Sequence, residues 1–298
     1  MTLFKRLFAP LAALLAFASP AAARVPTPAQ ARPALWEVSD ADTTIYLFGT
    51  IHLLPTNYQW RTAKFNQALA SSNELMVETI VDLKHPDEIL TAKRDLGYSA
   101  GLPPIESRVP AAKLPLLRAS IAKTGVPEQY FNSMESWLAA FELLGVRFQE
   151  MGLKGEQGPE ATLRAEFQAA KKPIGQLETN TEQLGFFDRL PETAQRLLLE
   201  GAIDAPKSMD ADFSKMLASW SRGDVRAIAT SFNHDLSGSP ALKDALLDRR
   251  NANWSRWIEQ RLAKPGSVFM AVGAGHLAGP GSVVSLLQRG GYKVRRVQ

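Results

Sequence analysis

The feature that most constrains this chain is a series of short, β-rich apolar runs alternating with helical patterns. Residues 34–39 (LWEVSD) and 44–49 (TIYLFG) flank Asp40, Ala41 and Asp42, which is hairpin chemistry. Further runs follow at 74–80 (ELMVETI), 173–178 (PIGQLE), 267–272 (SVFMAV) and 293–297 (KVRRV), each preceded by a helical pattern. This alternation predicts an α/β fold: a mostly parallel central sheet with an N-terminal antiparallel hairpin. Between about 85 and 165 no strand pattern occurs. There Met134, Trp137, Leu138, Phe141, Leu144 and Phe148 recur at helical spacing, so the span reads as a large helical insertion. Its apolar stripe is expected to pack on the sheet, with a lid over a cleft as the alternative. Residues 180–262 are mainly helical and end in an amphipathic helix bearing Trp254, Trp257, Ile258 and Leu262.

Four of the apolar runs deliver a polar residue at their carboxyl ends. TIYLFG leads to His52 through Gly49, Thr50 and Ile51, and SVFMAV leads to His276 through Gly273, Ala274 and Gly275. ELMVE ends in Glu78 and PIGQLE in Glu178. In an open parallel sheet the carboxyl ends of the strands line one edge, where ligands bind. Two His and two Glu, distant in sequence, are therefore expected to converge. Glycine has two uses beside such a site: unusual φ/ψ as the chain leaves the sheet, and close approach to a ligand.

The chain has no cysteine, which excludes a disulfide scaffold, a thiolate nucleophile and cysteine-held zinc or iron–sulfur sites. Any metal must then use carboxylates and the four His residues: His52, His85, His234 and His276. Of these, His85, before a proline, and His234, read as lying in a polar loop, are expected to be solvated. The basic isoelectric point, near 9.3, carries little weight. Lys5 and Arg6 precede an apolar stretch from Leu7 to Ala18 and the small residues Ala21, Ala22 and Ala23, which reads as a secretory signal peptide, residues 1–23, cut after Ala23. An uncleaved anchor is the alternative. Its removal leaves 32 basic against 30 acidic residues, scattered along the chain, so no nucleic-acid footprint is present. Residues 24–33 read as a flexible lead-in, and 34–298 as a single domain, in a periplasmic or secreted protein with no membrane span in its mature part.

Three motifs are decoys. Gly97–Gly101 spells G-x-S-x-G, but its flanks do not suit a strand-to-helix nucleophile elbow. Ser120–Lys123 fits S-x-x-K without companion motifs and reads as helix surface. Gly273, Gly275 and Ala278 fit a dinucleotide fingerprint, but too little chain follows for the strands that fold needs. The loop Gly279–Gly281 could still offer backbone N–H groups to an anion.

Together these residues resemble a known family. The two Gly-x-x-His motifs, the opening LWEVSDADTTIYLFGTIHLLP, the segment KKPIGQLET at 171–179, the Arg250–Asn251 pair and the ending FMAVGAGHLAGPGSVVSLLQRGGYKVRRV look like the TraB/GumN family. One departure is local: the usual Gly-Lys-Pro before the inner strand reads Lys171, Lys172, Pro173. The resemblance implies a fold shared with the Tiki metalloproteases and, more remotely, with erythromycin esterases and haem-binding ChaN proteins. It implies a divalent-metal-dependent peptidase site on His52, His276 and Glu78, with peptides or small molecules as substrates. A His₂Glu set suits Mn, Co or Zn and leaves room for water and substrate. Glu178 is then a candidate general base or a group holding a His tautomer. Arg250 is a candidate to stabilise an oxyanion or a substrate carboxylate, with ordinary salt bridging as the alternative. Two further readings stay open: a non-catalytic binding protein for haem or a polysaccharide-related ligand, and a metal-independent esterase.

Overall fold

Side-chain alternation along the strands decides how the sheet is covered. In the computed structural model, residues 31–82, 85–153, 158–204, 206–236 and 239–298 are described, except for the side chains of 206–209 and 233–235. The strands are β1 (Leu35–Ser39), β2 (Thr43–Thr50), β3 (Glu74–Val77), β4 (Ile174–Gln176), β5 (Gly266–Gly273) and β6 (Val294–Arg296). They form one sheet in the order β4-β3-β5-β2-β1-β6. β4, β3, β5 and β2 are mutually parallel, whereas β1 pairs antiparallel with both β2 and β6. The expected hairpin is therefore present, with a second antiparallel pairing at the edge. β6 keeps the direction of β5 and meets β1, the one strand that runs the other way.

Along β2 and β5, Ile45, Leu47, Val268, Met270 and Val272 point into one core, and Phe48, Phe269 and Ala271 into another. This is the two-residue period of a strand buried on both faces. The first core is closed by α12 (Arg249–Leu262) and α13 (Val283–Arg289). Trp254, Ile258 and Leu262 of α12 lie at the helical spacing seen in the sequence, and burying each contributes about 1.5–3 kcal/mol. The second core takes Phe65 and Leu69 of α1 (Ala63–Ser71), with Trp60, Phe65 and Trp220 ringed around Phe48.

Between β3 and β4 the described residues form α2 (Asp87–Gly97), α3 (Leu114–Thr124), α4 (Glu128–Phe131), α5 (Ser136–Glu150) and α6 (Pro159–Ala169), with no strand among them. The stripe on α5, expected to pack on the sheet, packs chiefly on α8 (Glu192–Ala202), with α2 and α3 alongside. Trp137 and Phe141 meet Phe187 of α7 (Asn180–Asp188), an aromatic cluster that gives α5 helical partners of its own. The remaining helices are α9 (Pro206–Ser221), α10 (Val225–Leu236) and α11 (Pro240–Lys243), followed by one turn of π-helix at Asp244–Asp248.

Some local expectations change and others hold. His234 lies within α10 rather than in a loop, whereas His85 is exposed. The expected signal peptide and most of the lead-in lie outside the described residues. The last lead-in residues are held rather than loose: Ala31 is buried, the Arg32 N–H donates to the Ser221 carbonyl (2.6 Å), and the Pro33 carbonyl accepts from Gln298 (2.7 Å). Gly97 closes α2 and Ser99 is exposed, so G-x-S-x-G makes no elbow. A 3-10 turn, Ala274–Leu277, follows β5, and no dinucleotide-type helix starts there. Lys171 adopts φ 54°, a left-handed conformation that favours glycine, and so stands where the resembled Gly-Lys-Pro has its glycine. Among the described residues no helix is long and apolar enough to cross a membrane.

Candidate active site

The register of the parallel strands assembles the site. Thr50 at the end of β2 lies opposite Gly273 at the end of β5, and Val77 of β3 lies opposite Ala271 on the other side of β5. His52, His276 and Glu78 therefore leave three adjacent strands on one edge. Glu178 joins them because its N–H donates to the Glu78 carbonyl (2.9 Å) just beyond β4. A capping box, Thr179 with Glu182, then starts α7 and fixes where β4 ends. Behind the first loop, Trp220 Nε1 donates to the Gly49 carbonyl (2.7 Å).

All three expected ligands surround one backbone atom. A Cβ added at Gly273 would lie 3.1 Å from Glu78 Oε1, 3.5 Å from His276 Cδ2 and 3.8 Å from His52 Nε2. A Cβ at Gly49 would lie 3.0 Å from Ala274 Cα. Neither glycine has a positive φ. Their use is space, which narrows the two reasons offered by sequence to one.

The two imidazoles are anchored in the same way and face different partners. His52 Nδ1–H donates to Glu160 Oε1 (2.6 Å), and an ionised carboxylate only accepts, so Nδ1 carries the proton. In the neutral imidazole Nε2 is then a lone pair; the atom is buried and has no hydrogen-bond partner among the described residues. His276 Nδ1 lies 2.7 Å from Asn251 Oδ1. Asn251 Nδ2 donates to the Gly281 carbonyl (2.9 Å), which turns Oδ1 toward the imidazole and again puts the proton on Nδ1. His276 Nε2 consequently accepts, here from Arg250 Nη1 at 3.0 Å.

Arg250 is fully engaged. Its Nε and Nη2 meet Glu178 Oε1 and Oε2 at 2.8 Å each, a bidentate fork, and Nη2 also donates to Glu78 Oε2 (2.7 Å). Its guanidinium carbon lies 4.7 Å from the Trp254 ring centre. Trp254 Nε1 donates to Glu178 Oε1 (3.0 Å). The Gly273 N–H donates to Glu78 Oε1 (2.5 Å), and Gln183 donates to Oε2 (3.4 Å).

These contacts set the charges. Burial alone would raise the Glu78 pKa, but Arg250, the two His side chains and the Gly273 N–H bring it down to about 2. Burial raises the Glu178 carboxyl, a shift that Arg250 only partly offsets. His276 falls to about 3, through burial first and then the charge of Arg250, so it is neutral. Burial would lower His52 too, but Glu160 and Glu78 reverse the sign and raise it. For Arg250 burial is likewise outweighed by its two carboxylates, which hold it protonated.

Exposure gives the site a direction. Arg250, His276 and Glu78 are 5% exposed or less, whereas the His52 and Glu160 side chains are 15% and 19% exposed. Solvent therefore reaches the cluster from the His52 side. Among the described residues no group of three His, Asp or Glu side chains stands ready to hold a metal ion, and Arg250 explains why, since it occupies both His276 Nε2 and Glu78 Oε2. By donor type these side chains are ones a divalent ion takes, and His52 Nε2 is a buried atom left open, but His276 Nε2 and Glu78 Oε2 are held by Arg250 in this arrangement.

Glu160 was not anticipated from sequence, since it comes from the first turn of a helix in the long segment between β3 and β4. Asn251 and Trp254 were noted only as part of a motif and of an apolar stripe.

The sequence model of the TraB/PrgY/gumN family matches residues 34–296. "Uncharacterized protein YbaP" of Escherichia coli (strain K12) is 23% identical over 247 residues, spanning 82% of this chain and 87% of its own length. The protein of the same name in Shigella flexneri matches to the same extent. No solved structure matches this chain.

Proposed function

The chain belongs to the TraB/PrgY/gumN family, and from that premise we propose that it is a hydrolase of peptide bonds working at His52, Glu78 and His276 with a divalent metal ion. The observation that carries this reading is the His52 Nε2 lone pair, buried without a partner on the accessible side of the cluster. Buried polar atoms are nearly always satisfied, so an open one beside a carboxylate and a second imidazole marks a place where a ligand belongs. His52 Nε2, Glu78 Oε1 and, once Arg250 Nη1 gives up its contact with it, His276 Nε2 are the atoms that would hold the ion, and Mn, Co or Zn suits them. When bound, such an ion makes water more acidic and polarises a carbonyl.

The other charged residues act on these three. Glu178 spends both oxygens on Arg250 and Trp254, and Arg250 spends its donors on Glu178, Glu78, His276 and the Leu246 carbonyl. Their role in this reading is to orient Glu78 and His276, with no general base or substrate clamp required of either. An N-terminal leader ending at Ala23 would carry the protein to the periplasm or beyond, which the mass of the purified mature chain checks.

The test is metal analysis and peptide-library cleavage with wild type, His52→Ala and His276→Ala. Bound metal and cleavage in the wild type alone support the reading, and equal cleavage by all three metal-free proteins overturns it. One observation favours a second reading: with His276 held by Arg250, the His52–Glu160 pair has the geometry to take a proton from water without metal. Cleavage that survives a chelator but is lost in His52→Ala would select it.

A further inference from the structure

We infer that Glu160 is the positioning residue of the site: it holds His52 in the one tautomer that aims a lone pair at Glu78 and Gly273. The inference rests on the reading of His52 as the working imidazole. Its basis is a single oxygen. Glu160 Oε1 accepts from Thr50 Oγ1 (2.5 Å) and from His52 Nδ1 (2.6 Å), so one carboxylate pins both the last residue of β2 and the side chain two residues on. Thr50 and Glu160 are 110 residues apart, and α6 brings the carboxylate in. Gly158 is the N-cap and Pro159 the first residue of that helix, and an acid in the first turn suits the helix dipole.

Free imidazole can carry its proton on either nitrogen, and in neutral His one nitrogen donates while the other accepts. On the other tautomer, Nε2–H would point toward Glu78, which accepts three hydrogen bonds from Gly273, Arg250 and Gln183 and has room for one more, so Glu78 does not choose between the tautomers. The Nδ1 lone pair would then face the Glu160 carboxylate oxygen 2.6 Å away, a repulsive contact, and it is this contact that decides the tautomer. An acceptor-only partner at Nδ1 removes that alternative. Asn251 does the same for His276 through an amide oxygen. The His52 anchor differs in being charged and partly exposed, so it also raises the basicity of the nitrogen it leaves free.

The test uses the full mature chain. With only four His residues in the sequence, ¹⁵N imidazole spectra of the metal-free protein at alkaline pH can be assigned with His52→Ala and His276→Ala. The wild type is expected to show His52 protonated at Nδ1 and bare at Nε2. In Glu160→Ala that signature is lost from His52 but kept by His276, whose unchanged signal reports an intact fold. Glu160→Gln, which retains an acceptor oxygen, is expected to restore it in part. Titration with manganese alone should show Glu160→Ala weakened by about 10–100-fold relative to the wild type. An unchanged His52 signature in Glu160→Ala, or a wild-type His52 protonated at Nε2, overturns the inference. If the tautomer shifts as expected while the wild type binds no manganese, the role of Glu160 stands and the metal reading fails.

Discussion

The two Gly-x-x-His loops look equivalent in sequence and differ in the folded protein. Around His276 every polar atom is matched: Nδ1 to Asn251, Nε2 to Arg250, and Arg250 in turn to Glu78 and Glu178. Around His52 the Nδ1 anchor has a counterpart in Glu160, but Nε2 is open and the side chain reaches solvent. One loop builds a closed, charge-compensated wall and the other leaves a buried nitrogen without a partner on a side chain that reaches solvent. In the proposed reading, the His276 side carries most of the stability and the His52 side is where a ligand enters.

That contrast can be broken experimentally. Arg250→Ala should have the largest effect on folding, about 3–5 kcal/mol by urea unfolding, because Glu78 and Glu178 stay behind as buried charges without their cation. A loss below about 1 kcal/mol would put both loops on the same footing. His52→Ala is expected to leave the unfolding midpoint almost unchanged and to lower peptide hydrolysis by about a hundredfold or more. His276→Ala should lower both, since its ring lies 4.3 Å from that of Trp254 in the core. Gly273→Ala pushes a methyl to 3.1 Å from Glu78 Oε1 and is expected to cost about 1–3 kcal/mol, with hydrolysis falling further than stability. Asn251→Ala should lower stability by about 1 kcal/mol and have the smallest effect on hydrolysis, because Arg250 still donates to Nε2 and keeps the His276 proton on Nδ1. If its imidazole spectrum changes tautomer, the Arg250 contact is weaker than the geometry indicates.

Much of this was legible before the fold was known, for a physical reason. Strands buried on both faces must be short, apolar and terminated by polar residues, so Ile45–Phe48 and Val268–Val272 announced themselves, as did the His that each run leads to. Glu78 and Glu178 followed from the same rule, although their strands end sooner than the apolar runs suggested. What stayed hidden was partnership. Glu160 sits on a helix whose periodicity reflects packing, and nothing near it in sequence ties it to His52. Arg250 and Asn251 could be singled out, but the direction of their side chains depends on how α12 lies against the sheet. The α5 stripe misled because periodicity shows that a face is buried without showing what buries it.

The strand order has a consequence in time. β5 lies between β2 and β3, yet it is made from the chain's closing residues. Without β5, β1 and β2 form one ribbon and β3 and β4 another, with no described strand to join them. The last segment supplies the seam of the sheet together with His276 and the Gly273 N–H. A growing polypeptide thus carries His52, Glu78 and Glu160 long before His276 and the Gly273 N–H can join them. Whatever this cluster does is withheld from the unfinished chain, and any shortening that removes β5 should abolish both halves of the molecule's order at once.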